Sequence, residues 1–246
     1  MARIKLKIQY IGTAYSGWQF QTNADTVQGR LQDALGKILS ESVTLYGVGR
    51  TDEGVHAECY TAHFDTDKKI ALGKIVLGAN RYLPPDISVL SAKYADSNFD
   101  SRFDAVSKTY VYRLYVNSAR IPMLDINHTQ IYKMPDIELM KKGAAMLVGE
   151  HDFKAFQSTG SNLVGTVRKV YDVSIVVEDN EIEIFVTGNA FLYNMVRNIA
   201  GVLLWLGQGK LTLSDIETML EKGFRPKHFK TLPSKGLTLI GAEYDK

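Results

Sequence analysis

Apolar and charged residues alternate at the start of the chain, which predicts a half-buried strand over residues 3–10 with Ile4, Leu6 and Ile8 on one face. Thr26 then precedes a helically spaced apolar stripe, which predicts a helix capped by Thr26. The stripe consists of Val27, Leu31, Ala34, Leu35, Ile38 and Leu39. Further strands are expected at 43–48, 57–64, 87–95 and 107–117, with a helix over 72–82 that stops at Pro84 and Pro85.

The second half of the chain has similar elements. Ile137, Met140, Ala144 and Leu147 mark an amphipathic helix that ends at Gly149, and residues 168–178 and 181–188 predict a β-hairpin. A long apolar helix is expected over 190–206, then a helix capped by Ser214 and ending at Lys222, then a strand over 237–242. The strands fall in hairpin-like pairs more than in a β-α-β alternation. The predicted class is therefore α+β with a largely antiparallel sheet.

Composition fits a globular protein, since 45% of the 246 residues are hydrophobic and 23% are charged. The longest apolar run, Val202–Leu206, is far shorter than the roughly 18 residues of a membrane span. The N-terminal residues lack a signal-peptide core, so the cytoplasm is the expected location. The single cysteine, Cys59, excludes an internal disulfide and offers no zinc cluster.

The net charge of +2 does not by itself indicate a nucleic-acid partner. Basic residues do gather locally, although most such clusters are solvated faces. The clusters are Arg3, Lys5 and Lys7; Arg168 and Lys169; and Arg225, Lys227, His228 and Lys230. Composition therefore permits RNA binding without indicating it.

Asp52 lies in a loop that is flanked by Gly49 and Gly54 and follows a predicted strand. Glycines permit close backbone approach, so a ligand could meet the Asp52 carboxylate at short range. In the alternative interpretation the segment is only a turn, in which Asp52 caps backbone N–H groups and Arg50 pairs with it. The loop alone does not decide between the two.

Arg197 interrupts the apolar 190–206 segment, where Asn194, Arg197 or Asn198, and Gly201 are spaced to share one side of a helix. A buried, unpaired guanidinium costs several kcal/mol, so either Arg197 reaches the surface or it pairs with a carboxylate, for which Asp52 is the leading candidate. Tyr110 and Tyr112 share one face of the 107–117 strand. Rings on an open sheet can stack RNA bases, but tyrosines are also ordinary strand formers.

The sequence contains no phosphate-binding glycine loop with its lysine, no dinucleotide fingerprint and no metal-ligand spacing among its five histidines. Any chemistry is therefore expected to use side chains alone, with no cofactor and no metal.

Eight segments in order resemble the TruA family of tRNA pseudouridine synthases, nearly from end to end of the chain. Each alone is weakly specific, but the ordered set is very specific. The segments are Tyr10–Gln19, Gly49–His56, Leu83–Ile87, Phe99–Phe103, Lys108–Tyr112, His151–Phe153, Asn189–Asn198 and Lys235–Leu239.

The resemblance implies a cofactor-free isomerase that acts on uridines 38, 39 and 40 of the tRNA anticodon stem-loop. Asp52 would be the catalytic nucleophile, Arg197 its ion-pair partner, and Tyr110 the residue that contacts the target uridine. Arg50 would help to open the RNA helix and fill the space of the displaced base.

The resemblance also implies a homodimer whose subunits have two related α+β halves around a continuous sheet, with helices packed on it. The expected halves are residues 1–105, which carry the Asp52 loop, and 106–246, with the active-site cleft between them. Ile11, Glu53 and Asp100 depart from the family pattern, and these departures concern the preference for RNA more than the reaction.

Two rival functions belong to other classes. A non-catalytic RNA-binding protein would use Tyr110, Tyr112 and the basic clusters as a stacking platform. A nucleoside-hydrolase-like glycosidase would release uracil, but such enzymes use two carboxylates, and Glu53 is adjacent to Asp52 and would point elsewhere.

Overall fold

The computed structural model describes residues 1–160 and 165–245. The strands, numbered along the chain, are β1 (Ala2–Tyr10), β2 (Tyr46–Gly47), β3 (His56–Thr66), β4 (Ile87–Ala95), β5 (Ala105–Val116), β6 (Thr129–Ile131), β7 (Gly149–Asp152), β8 (Val167–Glu178), β9 (Glu181–Gly188) and β10 (Leu237–Tyr244). The helices are α1 (Val27–Leu39), α2 (Leu72–Tyr82), α3 (Ile137–Met146), α4 (Met195–Gly207) and α5 (Leu213–Lys222), with short 3-10 turns at Gly12–Ala14, Phe153–Phe156 and Ser234–Gly236.

The chain divides into two compact units. The N-terminal unit comprises Met1–Val106 and the C-terminal residues from Thr238, and the C-terminal unit comprises Ser107–Leu237. In the N-terminal unit the strand order is β4-β1-β3-β10, with β2 paired to β3. Its pairs are antiparallel apart from β10 with β3, which is parallel.

The core of the N-terminal unit follows the predicted alternation. Ile4, Leu6 and Ile8 are buried along β1, and the apolar stripe of α1 is buried with them except for Ile38, which is half-buried. Thr26 caps α1 as expected, because its hydroxyl oxygen accepts from the Gly29 N–H at 3.3 Å. The predicted positions of α2 and β4 are also confirmed.

The C-terminal unit has strand order β5-β9-β8-β7, all antiparallel, and β6 adds to β5 in parallel. Strands β8 and β9 form the predicted hairpin. Helix α3 packs closely on α4 at Gly143, where an added methyl group would lie 2.4 Å from Leu206. Both units therefore combine helices with mainly antiparallel strands, and the predicted α+β class is confirmed. Among the described residues no helix is long and apolar enough to cross a membrane.

The strand expected at 43–48 is much shorter in the structure, where only Tyr46–Gly47 pairs with β3. The reason lies at Leu45, whose backbone bonds to side chains of α1. Its N–H donates to Gln32 Oε1 at 3.0 Å, and its carbonyl accepts from Gln28 Nε2 at 2.7 Å. The alternation of this segment reflects burial against a helix.

The expected helix at 190–206 begins later, at Met195, and Asn194 is its N-cap in the left-handed conformation (φ 61°). Residues 190–194 are held in other ways. Asn189 Oδ1 accepts from the N–H groups of Ala190 and Lys169, and the Met195 N–H donates to the Leu192 carbonyl in a turn. Apolar composition alone did not reveal this boundary.

The cap of the last helix was also predicted two residues too late. Thr212, not Ser214, caps α5, and Thr212 and Asp215 form a reciprocal capping box. A capping box satisfies two backbone N–H groups that would otherwise lack partners at the helix start.

We expect Thr212→Ala to lower the free energy of unfolding by about 1 kcal/mol, because the helix loses its cap. Ser214→Ala, in the first turn of the same helix, should change it by less than about 0.5 kcal/mol. Urea denaturation of both variants measures this difference. Equal effects would contradict the assignment of Thr212 as the cap.

Candidate active site

The loop that carries Asp52 is pinned by the segment that follows β1. Thr51 is buried, and its hydroxyl lies 2.8 Å from the Tyr10 hydroxyl. The Thr51 carbonyl accepts from the Trp18 N–H at 3.1 Å. Within the loop the Val55 N–H donates to the Asp52 carbonyl at 3.2 Å, and Gly54 adopts a positive φ of 76° that favours glycine. These bonds fix the backbone on both sides of a half-buried Asp52.

Two glycines after β1 allow this close approach. A methyl group on Gly12 would lie 1.9 Å from the Val55 carbonyl oxygen, and one on Gly17 would lie 2.6 Å from the Thr51 carbonyl oxygen. The Gly12 N–H also donates to Nδ1 of the buried His56 at 3.0 Å. Backbone therefore packs on backbone around Asp52, with little room for side-chain adjustment.

An aromatic stack supports the same loop from within the unit. The rings of Trp18 and Tyr60 are stacked with centroids 3.8 Å apart, and Gly47 packs against both residues. The Tyr60 hydroxyl donates to the Gly49 carbonyl at the start of the loop. The stack thus ties the loop to β3.

Arg50 does not pair with Asp52, as it would if the loop were only a turn. Its side chain is exposed and, in the part of the chain that the structure describes, forms no ion pair. The alternative in which Arg50 neutralises Asp52 is therefore wrong. Glu53 is exposed as well.

The structure places Tyr110 and Arg197 in the C-terminal unit, whereas Asp52 and Arg50 belong to the N-terminal unit. Tyr110 lies on β5, with 9% of its surface exposed, and its ring meets the Phe191 ring edge-on at 5.3 Å between centroids. Tyr112 is fully buried and its hydroxyl is bonded to Thr129 and to the Pro233 carbonyl. A stacking platform built from both tyrosines is therefore wrong.

Arg197 is half-buried in the first turn of α4 and is held on two sides. Its Nε donates to the Leu232 carbonyl at 2.8 Å, and its Nη1 donates to Asn194 Oδ1 at 2.6 Å. The guanidinium is therefore bonded within the C-terminal unit and does not simply extend into solvent.

The segment of residues 231–233 that receives Arg197 is itself fixed. The Thr231 hydroxyl donates to Asn198 Oδ1 at 2.8 Å, and the Tyr112 hydroxyl donates to the Pro233 carbonyl at 2.8 Å. Asn198 is fully buried and its Nδ2 donates to the Phe156 carbonyl at 2.6 Å. Arg197 is thus attached to a network that links α4, the turn at Phe153–Phe156 and β5.

One face of the N-terminal sheet carries lysines without a carboxylate partner among the described residues. Lys5 in β1 lies opposite Lys93 in β4, and its ammonium lies 4.0 Å from the Tyr244 ring centroid and 4.4 Å from that of Phe99. Burial, followed by the charges of Lys7 and Lys93, lowers the pKa of Lys5. We call Lys5, Lys7 and Lys93 the lysine cluster.

Arg3, on the same strand face, differs from the lysine cluster because it is neutralised. Its guanidinium makes two bonds to Asp65, at 2.8 and 2.7 Å, and a third to the Phe99 carbonyl. The predicted basic cluster of Arg3, Lys5 and Lys7 is therefore partly structural, and the lysines carry the uncompensated charge.

The described residues contain no group of three or more His, Cys, Asp or Glu side chains that could hold a metal ion. The N-terminal unit thus contains a carboxylate on a pinned loop, and the C-terminal unit contains an oriented guanidinium and a nearly buried phenol.

Sequence reasoning missed the residues that support these groups, namely Gly12, Gly17, Trp18 and Asn194. The run of turn-forming residues between 12 and 18 indicated a turn but not its partner. The left-handed conformation of Asn194 had no distinguishing pattern, since Asn is compatible with a helix interior as well.

Comparison with known proteins matches residues 144–245 to a family described as tRNA pseudouridine synthase. The chain is 42% identical to tRNA pseudouridine synthase A of Caldicellulosiruptor bescii, over 99% of this chain and 100% of the relative. It is 44% identical to the protein of that name from Ruminiclostridium cellulolyticum and 39% identical to that of Clostridium acetobutylicum, each over 99% of this chain and all of the relative.

Identity of this extent over the full length defines the class as an RNA-modifying isomerase. The chain belongs to the tRNA pseudouridine synthase A family. A solved structure titled "Crystal Structure of a Cbf5-Nop10-Gar1 Complex" aligns with 94% of this chain and 68% of that chain at 12% identity, and its TM-score of 0.35 is too low to support an inference.

We expect Gly12→Ala to lower the free energy of unfolding by about 2 kcal/mol or more and to reduce activity, because its methyl group would displace the Asp52 loop. Gly73→Ala is the matched control, since a methyl group there meets nothing within 4 Å and Gly73 lies in helix α2. That control should be neutral or stabilising by about 0.5–1 kcal/mol. Urea denaturation and initial rates measure both variants, and wild-type behaviour of Gly12→Ala would contradict the steric role.

Proposed function

We propose that this protein isomerises uridine to pseudouridine at positions 38, 39 and 40 in the anticodon stem-loop of tRNA. The observation that carries the proposal is the pinned Asp52 loop, in a chain about 40% identical over its full length to enzymes named tRNA pseudouridine synthase A. The choice of positions rests on the resemblance to the TruA family.

The reaction needs no redox step or group donor. The bond from uracil N1 to ribose C1′ breaks, the base turns, and uracil C5 bonds to C1′. The C5 proton is lost and N1 takes up a proton, so the product is an isomer of the substrate. In our proposal Asp52 is the nucleophile, at C1′ or at uracil C6, and its ionised form is required.

Arg197 and Tyr110 are assigned the supporting roles. A guanidinium that pairs with Asp52 favours the ionised carboxylate and fixes its orientation. The bonds of Arg197 to Leu232 and Asn194 support this role, because they restrict its orientation in advance. The Tyr110 ring stacks on the target uracil and supports removal of the C5 proton.

A uridine inside a stem must leave the base stack before it can react, which costs a few kcal/mol. Arg50 would enter the space left by the base, and its exposed side chain without an ion pair among the described residues is compatible with that role. The lysine cluster would contact the RNA backbone and offset part of the cost, since phosphate contacts supply much of the affinity for nucleic acids.

Two further properties belong to the same proposal. The protein acts as a homodimer and in the cytoplasm, both on the strength of the family resemblance. It uses no cofactor, since the isomerisation balances without one.

Incubation with tRNA tritiated at uracil C5 should release tritium while the base stays attached, and mass-spectrometric mapping should locate pseudouridine at positions 38–40. Asp52→Asn and Asp52→Ala should abolish both results, because neither can supply a carboxylate, and should leave tRNA binding largely intact. Glu53→Gln is the matched control, because it removes the neighbouring exposed carboxylate, and should remain active.

Each rival function predicts a different product. Free uracil would indicate a glycosidase, and no tritium release would indicate binding alone. Substantial turnover by an Asp52 variant would sink the assignment of the nucleophile, and pseudouridine at other positions would contradict the proposed substrate.

We expect the double variant Lys7→Gln with Lys93→Gln to bind tRNA more weakly and to lower the slope of log Kd against log salt by about one per lysine. Lys141→Gln is the control, because Lys141 is already paired with Glu138 at 2.9 Å. Titrations at several salt concentrations measure the slopes. If the double variant kept the wild-type slope, the lysine cluster would not be part of the RNA-binding surface.

A further inference from the structure

The start of α4 places a cation where a helix does not favour one. Arg197 is the third residue of α4, and the first turn contains no acidic residue. The N-terminus of a helix carries partial positive charge from its unsatisfied N–H groups, so a guanidinium there raises the electrostatic energy. Arg197 therefore does not stabilise the start of α4, and its presence there needs another explanation.

Asn194 is the N-cap residue of α4, but its side chain does not cap the helix. An Asn at the N-cap ordinarily has extended backbone, and its side-chain oxygen accepts from an N–H group in the first turn. Here Asn194 is left-handed, with φ 61° and ψ 10°, and its side chain makes no cap bond. Its carboxamide oxygen instead accepts from Arg197 Nη1 at 2.6 Å. The acceptor must be this oxygen, because a guanidinium only donates.

A second acceptor completes the geometry of the guanidinium. Arg197 Nε donates to the Leu232 carbonyl at 2.8 Å, and the neighbouring residues Thr231 and Pro233 are held by Asn198 and Tyr112. A planar guanidinium bonded through two of its nitrogens to acceptors on separate segments has a fixed plane and direction. Loss of the Asn194 bond would remove one of the restraints on rotation about the Nε–Cζ bond.

We propose that Asn194 is a positioning residue, whose side chain orients the Arg197 guanidinium for the reaction. The inference rests on the proposed catalytic role of Arg197. It explains two features that oppose helix stability, namely the uncapped left-handed Asn and the cation in the first turn. Preorganised groups of this kind lower the barrier because they need not be reoriented in the transition state.

The variant Asn194→Gly removes the side chain and keeps a residue that tolerates left-handed backbone. We expect kcat to fall about 10- to 100-fold, the cost of a misplaced catalytic group, while KM for tRNA stays within about twofold. NMR of the Arg197 side chain should show that the guanidinium rotates faster in this variant than in the wild type. Asn194→Asp retains an acceptor oxygen and should retain the slower rotation of the wild type.

Asp179→Gly is the matched control, because Asp179 is also left-handed (φ 50°) and lies in the exposed β8–β9 turn of the same unit. It should keep wild-type kcat and wild-type rotation of Arg197. Wild-type kcat in Asn194→Gly, or an unchanged rotation rate of Arg197 in that variant, would overturn the inference. Failure of the wild type to release tritium would overturn the proposed function instead. The NMR comparison would still decide whether Asn194 orients the Arg197 guanidinium.

Discussion

The position of Asp52 depends on one steric constraint, the contact between the backbone after β1 and the backbone of residues 51–55. At Gly12 and Gly17 this contact excludes even a methyl group without displacement. Because neither side of the contact has an adjustable side chain, the loop cannot shift without the exit of β1 shifting as well. The fold of the N-terminal unit therefore fixes the backbone that carries the carboxylate, which suits the role that we propose for Asp52.

Positive charge gathers at an unfavourable position in each unit, although the net charge is only +2. In the C-terminal unit it is the guanidinium of Arg197 at the positive end of a helix, and in the N-terminal unit it is the lysine cluster. A helix N-terminus disfavours a guanidinium, and in the lysine cluster like charges repel and burial penalises the Lys5 cation. In our proposal the phosphate backbone of tRNA offsets the repulsion within the lysine cluster, and the Asp52 carboxylate is the partner of Arg197.

The hydrophobic pattern predicted the regular elements well, and it failed where side chains from distant residues decide the backbone. The alternation in β1 and the stripe of α1 reflect burial directly, so both were correct. The 43–48 strand was overpredicted because Gln28 and Gln32 of α1 take the backbone bonds of Leu45. At the site, family resemblance named the residues, but the supporting contacts could not be predicted because their partners are far apart in sequence.

Tyr110 and Tyr112 show, within a single strand, that contacts between residues far apart in sequence could not be predicted. They share a face of β5, yet Tyr112 is bonded to Thr129 and Pro233, which lie 17 and 121 residues away. Tyr112 therefore holds the segment to which Arg197 is bonded, while Tyr110 packs edge-on against Phe191. Since β5 carries both tyrosines, a displacement of residues 231–233 would act on Arg197 and on the strand of Tyr110 together. The two groups of the C-terminal unit are thus oriented as a set, not one by one.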